Sequence, residues 1–546
     1  MSEKQSEKNR KVAKVAIPAK TTLEHICRLD IDHPLEKLVS RTGLICTIGP
    51  ASSSVETLRK MINAGMTIAR LNFSHGSHDY HAQTVANIRK AVDIFAKSTG
   101  NAKVVAIALD TKGPEIRTGY LTVGLNEEVA LDVDSTVRVT VDPAVKFCCT
   151  ESLIYVDYEN ITKVVNKGSK IYIDDGLICL LVNEVADRHL DCVVEHGGKL
   201  GNCKGVNLPD CEVDLPAVSE KDAQDLQFAV KYQCDVVFAS FVRSAEAVRQ
   251  IRQALGEEGR GIKIVAKIEN RQGIANVDSI IQEADGVMIA RGDLGIEIPA
   301  EQVFVAQKAI IAKCRLAGKP AICATQMLES MVDKARPTRA EVTDVANAVL
   351  DGADCVMLSG ETAKGRYPVQ AVSTMHRICC QAESVFFQKH FFDELQVMLP
   401  RPMNAIDTIA FAVTTAAANC NASAIILLTS TGTSAVAISK CRPSCMIISV
   451  VKKEQTARYL RLYSGILPCV YDLKNIPSSS SSSSSSGVDW VTSVDQRINY
   501  AISFGKKERI IRDGDNVIVV NGWREGPGHT NTIRIFGVEP LLISKI

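Results

Sequence analysis

Residues 264–270 read Ile-Val-Ala-Lys-Ile-Glu-Asn, and residues 288–295 read Met-Ile-Ala-Arg-Gly-Asp-Leu-Gly. Each is an apolar strand that ends by presenting charge: Lys267 and Glu269 in the first, Asp293 just past the second. A buried β-branched run excludes charge, because desolvating an unpaired lysine or carboxylate costs several kcal/mol. Two carboxylates and a lysine at the ends of neighbouring strands therefore point to a metal and an anionic substrate rather than to a packed core.

Runs of this kind recur eight times between residues 44 and 360: 44–48, 67–73, 104–110, 236–241, 262–268, 286–291, 320–325 and 355–359. Near-continuous apolar strands signal a parallel sheet covered on both faces. Between most of them lie amphipathic stretches, such as VETLRKMINAG (55–65) and EQVFVAQKAIIAKCRLAGK (301–319), with helical spacing and a glycine placed to cap the end. Eight βα units predict an α/β fold, a (β/α)8 TIM barrel whose function gathers at the carboxyl ends of its strands. About 125 residues separate the third run from the fourth. Alternating stretches there, EVALDVDSTVRVTV and SKIYIDDGLICLLVNEV, predict an inserted antiparallel β domain at the active-site rim, placed to act as a lid. After residue 385 the pattern restarts as AIILLTS, CMIISVV, NVIVVNG and TIRIFGV, which predicts a C-terminal open α/β domain. The chain divides into an N-terminal tail with a short helical segment (1–40), a barrel (41–117 and 216–385), a lid (118–215) and a regulatory domain (386–546). The last contains nine consecutive serines, 478–486, a polar tract expected to be a flexible loop.

At 546 residues the chain is too long for one core. With 63 basic and 62 acidic residues the net charge is +1, so no broad field favours nucleic acid or an anionic membrane. No apolar run approaches the roughly 20 residues of a transmembrane helix, and the lysine-rich start lacks a secretory segment. Eighteen cysteines include no C-x-x-C, and many sit inside apolar runs, as Cys46, Cys234, Cys323 and Cys355 do. They are expected to be reduced thiols in a cytoplasmic protein.

The polar residues at the run ends form a coherent set. They are Arg70, Asn72 and Ser74; Asp110 and Thr111; Lys267 and Glu269; Arg291, Gly292 and Asp293; Thr325; Ser359 and Glu361. Carboxylate, hydroxyl and amide oxygens suit hard cations, while Arg and Lys suit phosphate or carboxylate. Together they describe a cation-assisted site for a small phosphorylated acid. The turn at Gly292 offers backbone N–H groups to a carboxylate. His75 and His78 show no metal-ligand pairing, and no G-x-x-x-x-G-K-[ST] loop occurs.

The segments RLNFSHG (70–76), LDTKGPEIRTG (109–119), IKIVAKIENRQGI (262–274), MIARGDLGIEIP (288–299), ATQMLESM (324–331) and MLSGETAKGRYP (357–368) resemble those of the pyruvate kinase family, in order. The resemblance implies phosphoryl transfer from phosphoenolpyruvate to ADP, giving pyruvate and ATP. It implies Mg²⁺ (or Mn²⁺) held by Glu269 and Asp293, and K⁺ held by Asn72, Ser74, Asp110 and Thr111, with Glu115 matching the potassium-dependent form. Lys267 and Arg70 would act on the phosphoryl group, Thr325 near the route of the proton, and Gly292 and Asp293 at the substrate. Asn72, His75, Arg117 and Lys204 would meet the nucleotide. A homotetramer is also implied.

The stretch LLTSTGTSAVAISK (427–440) is a strand, a small-residue turn and a helix start, whose hydroxyls and N–H groups suit an anion. By resemblance, Thr429, Ser430, Thr431, Gly432, Thr433 and Ser434 match the loop that takes one phosphate of fructose 1,6-bisphosphate. Trp490 and Arg497 match the residues at the other, and GWREGPGH (522–529) matches the flap over the sugar. Ser430 stands where some animal members carry lysine. A metal-dependent aldolase or mutase of the same barrel class is the competing enzyme reading, and a silent metabolite sensor the competing non-enzyme one.

Overall fold

The computed structural model describes residues 19–32, 39–99, 103–124, 127–471, 490–524, 526 and 528–539, with Trp490 and Val491 described by backbone alone. The serine tract 478–486 and most of the tail expected over 1–40 lie outside the described residues; within that tail, Thr22–Cys27 is helical.

Eight strands close a parallel barrel: β1 (Gly43–Thr47), β2 (Ile68–Asn72), β3 (Ala106–Asp110), β4 (Val236–Ala239), β5 (Lys263–Ile268), β6 (Gly286–Ala290), β7 (Ala321–Ala324) and β8 (Cys355–Leu358). Their order around the barrel is β1-β8-β7-β6-β5-β4-β3-β2. Every bound falls within two residues of the apolar run that predicted it. Alternation along each strand explains the continuous apolarity. Ile45, Ile68, Ala108, Phe238, Val265 and Met288 fill the interior. Their neighbours Leu44, Leu71, Val237, Ile264 and Ile289 pack outward against the helices. Those helices carry the caps that the sequence suggests. Val55–Ala64 starts at Ser54, whose side chain accepts from the Thr57 N–H, and stops at Gly65 with φ 124°. Val303–Ala317 stops at the left-handed Gly318.

The insertion after β3 folds around its own core of Val139, Ile154, Ile171, Leu180 and Leu190. Its seven-stranded sheet runs Ile116–Arg117, Gly205–Asn207, Lys170–Ile173, Ile178–Val185, His189–His196, Thr136–Thr140 and Leu153–Tyr155. Two features depart from the simple antiparallel expectation. Thr136–Thr140 and Leu153–Tyr155 pair in parallel. The stretch expected as one alternating run is split, since Val129–Leu131 joins Gly198–Leu200 in a separate two-stranded sheet. The break falls at Asp134, whose φ of 65° reverses the chain.

The C-terminal sheet has five strands: β9 (Ala424–Leu428), β10 (Met446–Val451), β11 (Ile466–Val470), β12 (Asn516–Gly522) and β13 (Thr530–Gly537), in the order β11-β10-β9-β12-β13. Strand β11 was not foreseen. It contains Pro468 and sits on the edge, the position to which a missing N–H confines proline.

This domain seats against the base of the barrel, opposite the strand carboxyl ends. Its Leu462 closes the interior from below. Arg458 Nε donates to Asp235 Oδ1 at 2.8 Å, and Asp235 Oδ2 accepts from the Ile107 N–H at 2.9 Å. Arg442 Nη1 donates to Asp354 Oδ1 at 2.7 Å, and Asp354 Oδ2 accepts from the Ala321 N–H at 3.0 Å. All eighteen cysteines are free thiols, and no helix among the described residues is long and apolar enough to cross a membrane.

Removing one partner of such a buried pair strands the other charge, at about 3–5 kcal/mol. Asp354→Ala is therefore expected to lower the urea midpoint by a corresponding amount, and adding Arg442→Met should recover part of it. A loss under about 1 kcal/mol would show that the pair is not structural.

Candidate active site

The inward row that fills the barrel turns polar at its last layer. Two residues beyond Ile45, Ile68, Ala108, Phe238 and Val265 stand Thr47, Arg70, Asp110, Ser240 and Lys267. Period-two alternation places them all on the inner side of the mouth. Lys267 Nζ lies 3.2 Å from Asp110 Oδ1, 3.0 Å from Glu269 Oε1 and 2.7 Å from Ser240 Oγ. Arg70 Nε donates to Asp110 Oδ2 at 2.6 Å, and its Nη1 donates to Thr47 Oγ1 at 2.9 Å. Burial opposes the Lys267 charge, yet Asp110 and then Glu269 outweigh it and hold the ammonium above the usual lysine range. Burial likewise opposes ionised Asp110, but Arg70 and Lys267 bring its carboxyl below the ordinary range. Both groups are therefore charged at neutral pH.

Asp293 has the opposite environment. Burial, then the Glu269 charge, push its carboxyl up to about 7. Glu269 itself is 1 % exposed and accepts from the Phe241 N–H. Two carboxylates that repel one another beside a single ammonium form a donor set that fits a divalent, oxygen-seeking cation. On the neighbouring strands, Asn72 is in register with Asp110, and Asn72 Oδ1 accepts from the Ser74 N–H at 3.2 Å. The Thr111 carbonyl accepts from Ser240 Oγ at 2.7 Å. Asn72, Ser74 and Asp110 border the cleft at this mouth with oxygen donors that suit a hard cation, whereas Thr111 does not line it.

A cleft of about 1560 Å³ opens between this mouth and the lid, bordered by Arg70, Asn72, Ser74, His75, Lys267 and Asp293 on the barrel side. From the lid side, Lys204 Nζ enters it, paired with Asp174 Oδ2 at 2.8 Å. Arg117 Nε donates to Glu115 at 2.8 Å and Nη1 to the Cys203 carbonyl at 2.7 Å. The lid touches the barrel through Asn207 Nδ2 to Glu297 Oε1 at 3.0 Å. His75 is exposed at the rim, whereas His78 is turned away, its Nε2 at 2.6 Å from Asp225 Oδ1.

Gly292 and Thr325, both half-buried, pack against one another next to Asp293. A Cβ on Gly292 would lie 2.8 Å from Thr325 Cγ2. Thr325 has φ 76°, a strained conformation for a β-branched residue. Two other rim residues have structural roles in place of the ligand contacts expected of them. Arg291 binds both carboxylate oxygens of Asp344 at 2.7 Å and donates to the Thr325 carbonyl at 2.8 Å, so its charge holds the strained turn. Glu361 is fully buried and accepts the N–H groups of Leu328 at 3.0 Å and Ser359 at 2.7 Å, stitching the β7 and β8 loops. Conversely, Thr47 and Ser240 escaped the sequence reading. They end the two strands, β1 and β4, whose terminal polar residues were not considered.

In the C-terminal domain a cavity of about 1170 Å³ brings Thr429, Ser430, Thr431, Thr433 and Ser434 together with Arg497 and Arg524. Gly432 caps the helix Thr433–Lys440 at φ 82°, and a Cβ there would lie 2.4 Å from Tyr459 Oη. Ser434 Oγ donates to Thr530 Oγ1 at 2.9 Å, tying the loop to the opposite wall. Arg497 rides on the helix Trp490–Lys507; the Trp490 side chain lies outside the described residues.

The sequence model described as "Pyruvate kinase, barrel domain" matches residues 39–372, and "Pyruvate kinase, alpha/beta domain" matches 407–536. Pyruvate kinase PKLR of Homo sapiens is 52% identical over 524 residues, 96% of this chain and 89% of that protein. The pyruvate kinase of Candida albicans is 46% identical over 516 residues, 94% of this chain and 99% of that protein. That of Leishmania mexicana is 46% identical over 518 residues, 95% and 99% respectively.

The close approach at Gly292 makes a paired test. Gly292→Ala is expected to lower turnover at least about tenfold by displacing Thr325, an ångström-scale misplacement near the chemistry. Adding Thr325→Ser, which deletes the clashing methyl, should restore part of the loss; no recovery would mean that the contact is not the cause.

Proposed function

The chain belongs to the pyruvate kinase family and is a kinase of that family, and on this premise we propose that it transfers the phosphoryl group of phosphoenolpyruvate to ADP, giving pyruvate and ATP. The observation that carries the reading is the buried Lys267 ammonium, held between Asp110 and Glu269 at the mouth and facing a lid that presents Arg117 and Lys204. Lys267 neutralises the oxygens of the phosphoryl group in flight, which is electrostatic catalysis. Arg70 meets the same phosphate. Gly292 and Asp293 offer backbone N–H groups to the substrate carboxylate, and Thr325 stands near the path by which enolpyruvate gains its proton. Arg117 and Lys204 reach the nucleotide phosphates, and Asn72 and His75 also meet the nucleotide.

Glu269 and Asp293 would hold Mg²⁺ or Mn²⁺, and Asn72, Ser74, Asp110 and Thr111 would hold K⁺. When bound, these ions supply positive charge against the phosphates and the developing enolate. Within this division the barrel of 41–117 and 216–385 does the chemistry, its last two residues before the insertion, Ile116 and Arg117, being paired into the lid sheet. The lid of 118–215 excludes water that would hydrolyse the donor, and 386–546 regulates. Regulation is by fructose 1,6-bisphosphate, one phosphate on the loop Thr429–Ser434 and the other on Arg497 and Trp490. The protein acts as a cytoplasmic homotetramer.

The direct test is pyruvate formation from phosphoenolpyruvate and ADP with Mg²⁺, in K⁺ against Na⁺, with and without fructose 1,6-bisphosphate. Turnover that needs K⁺, with half-saturation lowered by the effector in the parent but not in Arg497→Ala, supports the reading. No turnover from folded, metal-supplied protein overturns it. Lys267→Met should lower kcat by about a thousandfold; near-normal turnover removes its role. A binding measurement isolates the metal assignment. Asp293 must lose its proton to become a ligand, so Mn²⁺ affinity of the free enzyme should rise about tenfold per pH unit below about 7 and level off above it. A flat affinity from about pH 6 to 8 would mean that Asp293 is already ionised there, and Asp293→Ala would then have to weaken Mn²⁺ binding for its role as a ligand to stand.

A further inference from the structure

The lid carries a second group of metal-ligand side chains, remote in sequence from the catalytic set and unused by the reaction. On the hairpin formed by Ile178–Val185 and His189–His196, Val194 pairs with Leu180 and His196 pairs with Cys179. Glu195 is the extra residue between them. On a regular strand Glu195 and His196 would point to opposite faces. The bulge turns both toward Cys179 on the facing strand.

The resulting geometry is compact. Cys179 Sγ lies 3.2 Å from Glu195 Oε2, and His196 Nδ1 lies 3.9 Å from the same oxygen. The thiol, carboxylate and imidazole ligand atoms all fall within 4.8 Å of one another, and among the described residues no other trio of His, Cys and carboxylate ligands does so. A tetrahedral zinc ion with bonds of about 2.0–2.3 Å places its ligands about 3.5 Å apart, so little movement is needed. Cys179 is fully buried at the floor, Glu195 is half-buried above it and His196 stands exposed at the rim. That leaves the fourth position open to water. Sulfur, imidazole and carboxylate together select a borderline-soft ion over Mg²⁺ or K⁺.

We propose that Cys179, Glu195 and His196 form a zinc site on the lid, with a water as fourth ligand. Binding deprotonates the thiol, releasing one proton to solvent as the zinc–sulfur bond forms, and His196 binds in its neutral form. Two neighbours face the site. Tyr172 pairs with Cys179 across the sheet. Lys170 Nζ lies 2.7 Å from Glu195 Oε2, and its half-exposed ammonium must swing into solvent as the ion takes over the carboxylate. Lys170 therefore competes with the metal.

Cobalt(II) is the probe, added to the chelator-stripped, reduced full-length protein. One equivalent per chain should give a thiolate-to-cobalt charge-transfer band, which the oxygen ligands Glu269 and Asp293 cannot produce. Cobalt binding should release about one proton per ion near neutral pH, and zinc should then bleach the band with no further release. The band should vanish in Cys179→Ser. In His196→Gln, a change at an exposed position, cobalt should bind at least about tenfold more weakly. Lys170→Gln should tighten it severalfold. No thiolate band at saturating cobalt overturns the proposal, as does a band that His196→Gln leaves unchanged, even if Cys179→Ser does not fold.

Discussion

One ammonium group organises the mouth of the barrel. Asp110 and Glu269 are each about 1 % exposed, deep enough that neither can stay ionised without a partner. Lys267 reaches both, and Arg70 shares Asp110, so four charges from β2, β3 and β5 interlock in one layer. Removing the ammonium would leave two buried carboxylates facing the Asp293 pair member. The geometry of the whole rim follows from keeping that charge compensated. Phe241, just past β4, adopts φ 54°, and in that conformation its N–H reaches Glu269. Such left-handed conformations in bulky residues persist only where the surroundings over-determine them.

The barrel was legible because a strand buried on both faces leaves an unmistakable trace, a short apolar run between amphipathic stretches. Lys267, Glu269 and Asp293 stood out for the complementary reason, since charge at the end of such a run needs an explanation. Hydroxyls carry no such signal, and Ser240 and Thr47 passed unnoticed although they bond Lys267 and Arg70 directly. Direction is the other thing spacing does not encode. Arg291 and Asp293 are two residues apart, yet Arg291 turns back to Asp344, 53 positions later, and never faces the cleft. Strand β11 escaped because proline usually argues against a strand, and only edge placement lifts that objection. In the C-terminal domain the loop Thr429–Ser434 looks like any βα turn. Its meeting with Arg497 was anticipated through family resemblance, because pocket walls so far apart in sequence share no local pattern.

The lid is joined to the barrel at the end of β3 and at the start of the helix Glu220–Lys231, which leads into β4, the neighbour of β3 in the closed sheet. Both connections therefore leave from one side of the mouth, and the insertion can fold around a core of its own without breaking the barrel's ladder. Beyond the ends of β5 and β6 it meets the rim through Asn207 to Glu297 and Arg271 to Asp210, and Gly176 lies close to Ile296. A domain with its own core, attached at neighbouring points of one rim, can shift as a unit without unfolding.

Strand β4 has a mechanical consequence. It begins directly after Asp235, which Arg458 of the C-terminal domain grips, and is followed at once by Ser240, which touches the Lys267 ammonium. Five residues of extended chain span about 16 Å and stretch very little. The base and the mouth of the barrel are thus joined by a single stiff rod with no intervening loop to absorb motion. A rigid shift of β4 along its axis, driven from Asp235, would therefore move Ser240 and its bond to Lys267 with it.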